Sequence, residues 1–473
     1  MVDFLLIILL IATPLAFGTV HTPAIIIFSI FTVVIFNLCF LNSTDNLKAL
    51  IKLPIVRWSI LFTGLIIFQL IPLPKNILKI ISPATYQLYS DYSLTYTATN
   101  AWRTLSIYPW ATISELIKLI SYGLIFLVVL GRIKSTPQDS RHALPTRFLL
   151  LGALTGILSI LFHSLYDFNL HISANAFYFV VILGILAGVT QYRDTGFNHR
   201  FVQRIADSII FIGFCIALFA IVQRFGAPGK IYWVMQMGDG GSFGTYVNYD
   251  HYAGFMELCA PLAIAAFLGS IAQSSFFRQE NLRKKILWFS SSEANKTLLY
   301  LFLSVVMAGS LFLSKSRGGI MSFILSMLIL FWVVIAKTRK KPKNRLIISI
   351  IVTILLIAAM VTWLGPEPIL KRFHLLFDKG LFRMEGPIGI RISFYKDTLN
   401  IIRDFPVLGT GFGTFSSILP KYRTFIYYTK FLRYTHNDYL QLFSEMGFLG
   451  GIFIALFLVF FMRRYLWVVK RLK

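Results

Sequence analysis

The chain has 473 residues, 56% hydrophobic and only 14% charged, and apolar runs near twenty residues long recur along it, about the length that crosses a hydrocarbon core. A net charge of +25 would suggest nucleic acid in a soluble protein, but the basic residues lie in short loops between apolar runs, so the charge reports membrane topology and no nucleic-acid partner is expected. The three cysteines, Cys39, Cys215 and Cys259, fall inside apolar runs, and there is no Walker-type loop, His-Glu-x-x-His helix or repeat of fixed period. A disulfide framework, zinc hydrolysis and ATP-driven transport are therefore poor readings.

The sequence predicts an all-α polytopic membrane protein of about twelve helices, at roughly 4–18, 24–41, 57–74, 113–131, 147–166, 174–191, 207–225, 250–272, 297–315, 319–336, 346–365 and 439–462. Lys48, Lys52 and Arg57, Arg132 to Arg147, Arg193 to Arg204, Arg278 to Lys285, Lys337 to Arg345 and the tail from Arg463 all fall on one face. The positive-inside rule makes that face cytoplasmic, and an even number of spans puts both termini there. The first run begins Met1-Val2-Asp3-Phe4 without a basic n-region, so it is expected to stay as a helix. The chain divides into helices over 1–365, a large outer loop over 366–438, and a last helix with a basic tail over 439–473.

Outside the membrane, 75–112 reads as a looped or extended segment, with Trp102 and Trp110 suited to a headgroup belt. Farther on, Gly238 to Thr245 leads into Asn248-Tyr249-Asp250-His251 at a helix entry. Asp250 can cap that helix, while Asn248 and His251 are candidates to face an external cavity and bind substrate. In the large loop, Ile392 to Arg403 has helical spacing, with Phe394, Leu399 and Ile402 as the expected buried stripe. Gly409-Thr410-Gly411-Phe412-Gly413-Thr414-Phe415 is a glycine-rich turn without the preceding strand that a dinucleotide site requires.

The chemistry converges on three residues. Arg317, in Ser316-Arg317-Gly318-Gly319, and Arg391, in Gly389-Ile390-Arg391-Ile392, fall at the same outer face as His436, in Thr435-His436-Asn437-Asp438-Tyr439. Each has a bland reading: an arginine snorkelling at a helix end, a solvated loop cation, an interfacial histidine. Together they suit a diphosphate, because guanidinium forks neutralise a pyrophosphate leaving group without a metal, and a neutral imidazole can take a proton from an attacking hydroxyl. No Asp-x-Asp motif stands on the outer face, so no metal or other cofactor is expected. Asn437 and Asp438 can cap the last helix or orient the imidazole, with Asp438 assigned mainly to capping. Along with Arg423, another loop cation, they join Asn248 and His251 as substrate-binding candidates.

At these residues the chain resembles the O-antigen ligase and polymerase superfamily, membrane glycosyltransferases of the GT-C type. The matching stretches are Gly-Thr-Tyr-Val-Asn-x-x-His-Tyr-Ala-Gly-Phe, Ser-Arg-Gly-Gly, the Arg391 helix, Gly-x-Gly-x-Gly-Thr-Phe and His-Asn-Asp-Tyr-Leu-Gln, from about Gly244 to Met462. The resemblance implies a GT-C-like fold with a partly helical periplasmic loop, in the bacterial inner membrane. It also implies inverting transfer of a glycan from undecaprenyl diphosphate to an acceptor hydroxyl at the periplasmic face. Arg317 and Arg391 would hold the diphosphate and His436 would activate the acceptor. That acceptor is a lipid A-core sugar, a growing glycan or a protein side chain, which separates ligase, polymerase and protein O-oligosaccharyltransferase.

One segment is out of place. His163-Ser164-Leu165-Tyr166-Asp167-Phe168-Asn169-Leu170-His171, followed by Ala174-Asn175-Ala176, resembles a stretch that family members carry after the His-Asn-Asp helix. As a two-helix hairpin with both ends on one face, it can move in the chain without inverting any other span, so it is expected to pack beside the last helix. A rival function, a lipid-linked glycan flippase or other transporter, expects polar groups along several helices at mid-membrane, for which Glu257 and Glu445 are the few candidates.

Overall fold

A computed structural model describes residues 1–41, 43–93, 96, 101–134, 143–192, 196–227, 230–236, 241–279, 281–337, 340–365, 387–424 and 432–470. The first part of the large loop, with Lys371, Arg372, Lys379 and Arg383, and also Lys430, lies outside the described residues. The helices are α1 Val2–Leu15, α2 Thr22–Phe40, α3 Thr44–Ile51, α4 Pro54–Leu70, α5 Lys75–Ile81, α6 Pro83–Tyr92, α7 Pro109–Ile133, α8 Ala143–His163 and α9 Ser173–Gln191. They continue as α10 His199–Gly226, α11 Tyr249–Gln273, α12 Leu282–Trp288, α13 Ser292–Leu313, α14 Arg317–Lys337, α15 Lys340–Trp363, α16 Pro387–Asp404, α17 Phe415–Tyr422 and α18 Asp438–Lys470. Strand structure among the described residues is one antiparallel pair, Lys230–Ile231 with Met235–Gln236. The protein is an all-α, multi-pass membrane protein.

Ten of these helices are long and apolar enough to cross a membrane, and the pair α3 and α4, bent by 80°, makes an eleventh if counted as one span. Helix α1 has only 14 residues, about 21 Å at the helical rise and short of a hydrocarbon core. The outer surface of the bundle is apolar where lipid would meet it, as at Ile26, Ile27, Ile30, Trp332 and Leu355.

Helix α11 is the axis of the bundle, buried without a break from His251 to Gly269. Its closest neighbour is α8, which approaches through glycines: a Cβ on Gly152 would stand 2.6 Å from the Pro261 carbonyl oxygen, and one on Gly156 would stand 3.1 Å from that of Glu257. Pro261 has no N–H for the Glu257 carbonyl one turn back, and that carbonyl is where Gly156 packs. Cys259 belongs to this core, whereas Cys215 lies exposed on the bundle surface.

Two local expectations are corrected. The segment 75–112 contains helices α5 and α6, joined at Ser82, with Pro83 at the first position of α6, where a missing N–H costs nothing. Trp102 and Trp110 are exposed, as interface anchors would be. Helix α16 starts before Ile392 and buries Phe394, Thr398, Ile401 and Phe405, while Leu399 is 53% exposed. The true stripe follows the i, i+4, i+7, i+11 row because Ile401 and Phe405 close against Phe415, Ile418 and Leu419 of α17.

Candidate active site

The site forms where the turn between α8 and α9, residues 164–172, meets the start of α18. Asn437 caps α18, its side-chain oxygen accepting the Leu440 N–H at 3.0 Å, while its amide donates to the Leu165 carbonyl at 3.1 Å. The expectation that Asp438 does the capping is thereby corrected. Its carboxylate instead accepts from His171 Nδ1 at 2.6 Å and from the Leu170 N–H at 3.2 Å. Burial works against a charge on His171, but the bond to Asp438 and that carboxylate's charge outweigh it and raise the imidazole's pKa.

A second acid–imidazole pair crosses in the opposite direction. Asp167, from the hairpin, lies 2.9 Å through Oδ1 from His436 Nδ1. Burial opposes charge on Asp167, yet the hydrogen bond with His436 and the imidazoles of His251 and His163 outweigh it and hold the carboxyl well below its ordinary range. An ionised carboxylate only accepts hydrogen bonds, so the proton of this bond sits on Nδ1 and the neutral ring keeps Nε2 as its basic nitrogen. The His436 side chain is 27% exposed and Asp167 is 1% exposed, so the pair is anchored inside and open at one edge.

The backbone at His436 is itself special, with φ +56°, a left-handed conformation uncommon outside glycine. It is held from three sides: Tyr395 Oη donates to the His436 carbonyl at 3.0 Å, the Asp438 N–H donates to the Ser164 carbonyl at 2.9 Å, and Thr435 Oγ1 donates to the Asn437 carbonyl at 2.7 Å. Phe168 lies edge-on to the His436 ring at 5.0 Å and stacks on Tyr434 at 4.3 Å. Strain of this sort persists only where surroundings over-determine it.

The two arginines approach from separate helices. Arg391 lies on α16 one turn before Tyr395, the residue bonded to the His436 carbonyl. Arg317 opens α14, where Ser316 is the cap: its Oγ accepts the Gly319 N–H at 3.0 Å and donates to Asp250 Oδ1 at 2.5 Å. Gly318 faces the His163 ring at the end of α8, four residues before Asp167. Arg423 follows α17 beside Thr424, whose Oγ1 donates to Asp397 at 2.7 Å, six residues beyond Arg391 on α16.

Asn248 and His251 take other places than expected. Asn248 caps α11, accepting the Asp250 N–H at 2.8 Å, so Asp250 is released from capping to hold Ser316. His251 is buried, its Nε2 3.9 Å from Asp167 Oδ2 and its ring 4.7 Å from that of Phe168. It lines the back of the Asp167 carboxylate rather than an open cavity. His163, Asp167 and Asp250 offer ligand atoms within 4.8 Å of one another, the one grouping among the described residues able to hold a metal ion. Each also has an engaged neighbour: Glu257, His436 and Ser316 respectively.

The glycine-rich turn 409–415 grips the last helix. Helix α18 is broken at Gly447, with φ 60° and ψ −157°, and is not the continuous span expected. The turn supplies N–H groups to the carbonyls this break exposes: Thr410 to Ser444 and Gly411 to Glu445, both at 3.0 Å. The Glu445 carboxylate accepts from Gly413 N–H at 2.8 Å and Phe415 N–H at 3.2 Å. One of the two acids that a transporter could use is thus committed to holding the loop.

Residues 302–455 match the family model described as O-antigen ligase. Over this segment the chain is similar to the O-antigen ligase family. No curated protein and no solved structure matches the chain. The matched stretch contains Arg317, Arg391, Arg423, Asn437, Asp438 and His436 but not the hairpin. Asp167, His163 and His171 are not among the catalytic and substrate-binding candidates named from the sequence. Their local signal was the hairpin's likeness to a segment that the family carries beside the His-Asn-Asp helix.

Proposed function

We propose that the protein transfers a glycan from an undecaprenyl-diphosphate carrier to an acceptor hydroxyl at the outer, periplasmic face of the inner membrane, with both termini cytoplasmic. The observation that carries this reading is the Asp167–His436 bond, which fixes Nε2 as the free basic nitrogen of a partly exposed imidazole. In the step, His436 Nε2 takes the proton as the acceptor oxygen bonds to the anomeric carbon. The bond from that carbon to the diphosphate oxygen breaks on the opposite face, its electron pair leaving with the diphosphate, so configuration inverts.

Arg317 and Arg391 receive the charge that develops on the leaving diphosphate. Arg317 stands at the start of α14, where backbone N–H groups and the helix dipole also favour an anion. Charge neutralisation by guanidinium lets the proposed reaction run without a metal. The likeness of residues 302–455 to the O-antigen ligase family supports a lipid-linked glycan donor in general. The acceptor classes are a lipid A-core sugar, the growing glycan and a protein hydroxyl.

Reconstitution with undecaprenyl-diphosphate glycan and each acceptor class, with and without EDTA, tests the reading. We expect transfer that survives chelation and is lost in His436→Ala, and the acceptor labelled assigns ligase, polymerase or protein glycosylation. Full activity in His436→Ala, or loss of activity with EDTA restored by a divalent ion, would overturn the scheme.

A further inference from the structure

We propose that the buried His163–Glu257 pair is the seat of the Arg317 turn, which makes both of them positioning residues for the donor diphosphate. The inference rests on the reading of Arg317 as a diphosphate ligand. His163 ends α8 and Glu257 lies within α11, and they are 1% and 0% exposed, with Nδ1 and Oε1 3.2 Å apart but not aligned for a hydrogen bond. Burying such a pair is costly, and well-packed apolar side chains usually serve stability as well or better. Its location supplies the missing reason.

The first turn of α14 rests directly on the pair. A Cβ on Gly318 would stand 2.9 Å from both Cδ2 and Nε2 of the His163 ring. One on Gly319 would stand 2.5 Å from the Ala253 Cβ and 3.3 Å from Glu257 Oε1. Both glycines after Arg317 are therefore dictated by close approach: any side chain would lift the turn off its seat. A cation in a first helical turn is disfavoured by the helix dipole, and the Asp250 carboxylate, which accepts from Ser316, brings negative charge to that end of α14. The chain so supports a guanidinium at a place where helix electrostatics alone would not keep one.

The pair also ties the two halves of the site together. His163 lies under Gly318, the residue after Arg317, and Asp167, four residues further along the same chain, lies against His436. A displacement of the α8 end would thus move donor and acceptor groups together. Misplacement of a substrate-positioning group by about an ångström can cost on the order of a hundredfold.

The test measures binding of undecaprenyl diphosphate to the full-length protein in nanodiscs, with undecaprenyl monophosphate as control. Arg317→Ala, Gly318→Ala and His163→Ser, which removes the ring and leaves a hydroxyl for Glu257, are compared with the double variant Gly318→Ala/His163→Ser. Each single variant is expected to weaken the diphosphate by about tenfold or more, with much less effect on the monophosphate. In the double variant the added methyl no longer meets a ring, so the two losses do not multiply.

If Gly318→Ala and His163→Ser bind as wild type while Arg317→Ala is weakened, the seat is refuted and the Arg317 reading stands. Losses that multiply in the double variant refute it equally. Wild-type binding by Arg317→Ala instead refutes the reading on which the seat depends. Should the double variant not accumulate, His163→Asn decides alone: weakened binding supports the seat, and wild-type affinity removes it.

Discussion

Asp167 fixes which nitrogen of His436 carries the proton, and in the proposed reaction it stabilises the imidazolium formed when the acceptor is deprotonated. Asp167→Asn should therefore lower turnover by roughly 10²–10⁴-fold with little change in donor affinity. A comparable loss of donor affinity beside the loss of turnover would argue for a packing role. The partner pair titrates with the opposite consequence for stability. His171 has its folded pKa raised by Asp438, so its contribution is complete below the unfolded imidazole value of about 6.5 and fades as pH rises through the raised folded value. Thermal unfolding of wild type against His171→Gln should show the largest gap in mildly acidic buffer and a shrinking gap on the alkaline side. A gap that grows with pH would contradict the assignment. The pairing partners were unreadable at this scale, since Asp167 and His436 are 269 positions apart and neither fixes the other through local periodicity.

Two glycines explain how the outer loop is fastened to the last helix. A Cβ on Gly409 would fall 2.2 Å from the Glu445 carbonyl carbon, and one on Gly447 would fall 2.4 Å from that of Val407. The backbones touch reciprocally, and both residues have positive φ. Phe448 N–H to the Pro406 carbonyl at 2.7 Å continues the same seam. Gly447→Ala should then cost about 1–3 kcal/mol from its conformation alone, and more from contact, seen as a lower unfolding temperature and as proteolysis near residues 406–415. A variant as stable as wild type would show that the seam can be loosened freely. The motif Gly-Thr-Gly-Phe-Gly-Thr-Phe was visible as a turn, but its use was not, because close backbone approach depends on where α18 breaks. Helix α16 shows the same division: its existence was legible from spacing, while its buried row was decided by Phe405 and α17.

For the molecule as a whole, the hairpin of α8 and α9 comes 267 positions before its partner across the His171–Asp438 bond and still packs against the start of α18. Those contacts are tertiary, so covalent order is not needed to make them. Co-expressed fragments 1–192 and 196–473 should assemble and co-purify, with transfer activity within about tenfold of the intact chain. Failure to co-purify, in the presence of stable fragments, would show that the connection itself is required. The sequence by itself determined that the chain is an all-α membrane protein, roughly where its helices run, and that Arg317, Arg391 and His436 are its chemical candidates. Run length, charge placement and residue type are local properties that a chain displays before it folds. Only the tertiary structure decided that Asp167 bonds His436, that Asn437 and Asn248 are the caps, that His251 is buried behind the site, and that a glycine-rich turn holds a broken helix. Each depends on which carbonyls, carboxylates and rings are brought within a few ångströms by packing, and no local pattern encodes that distance.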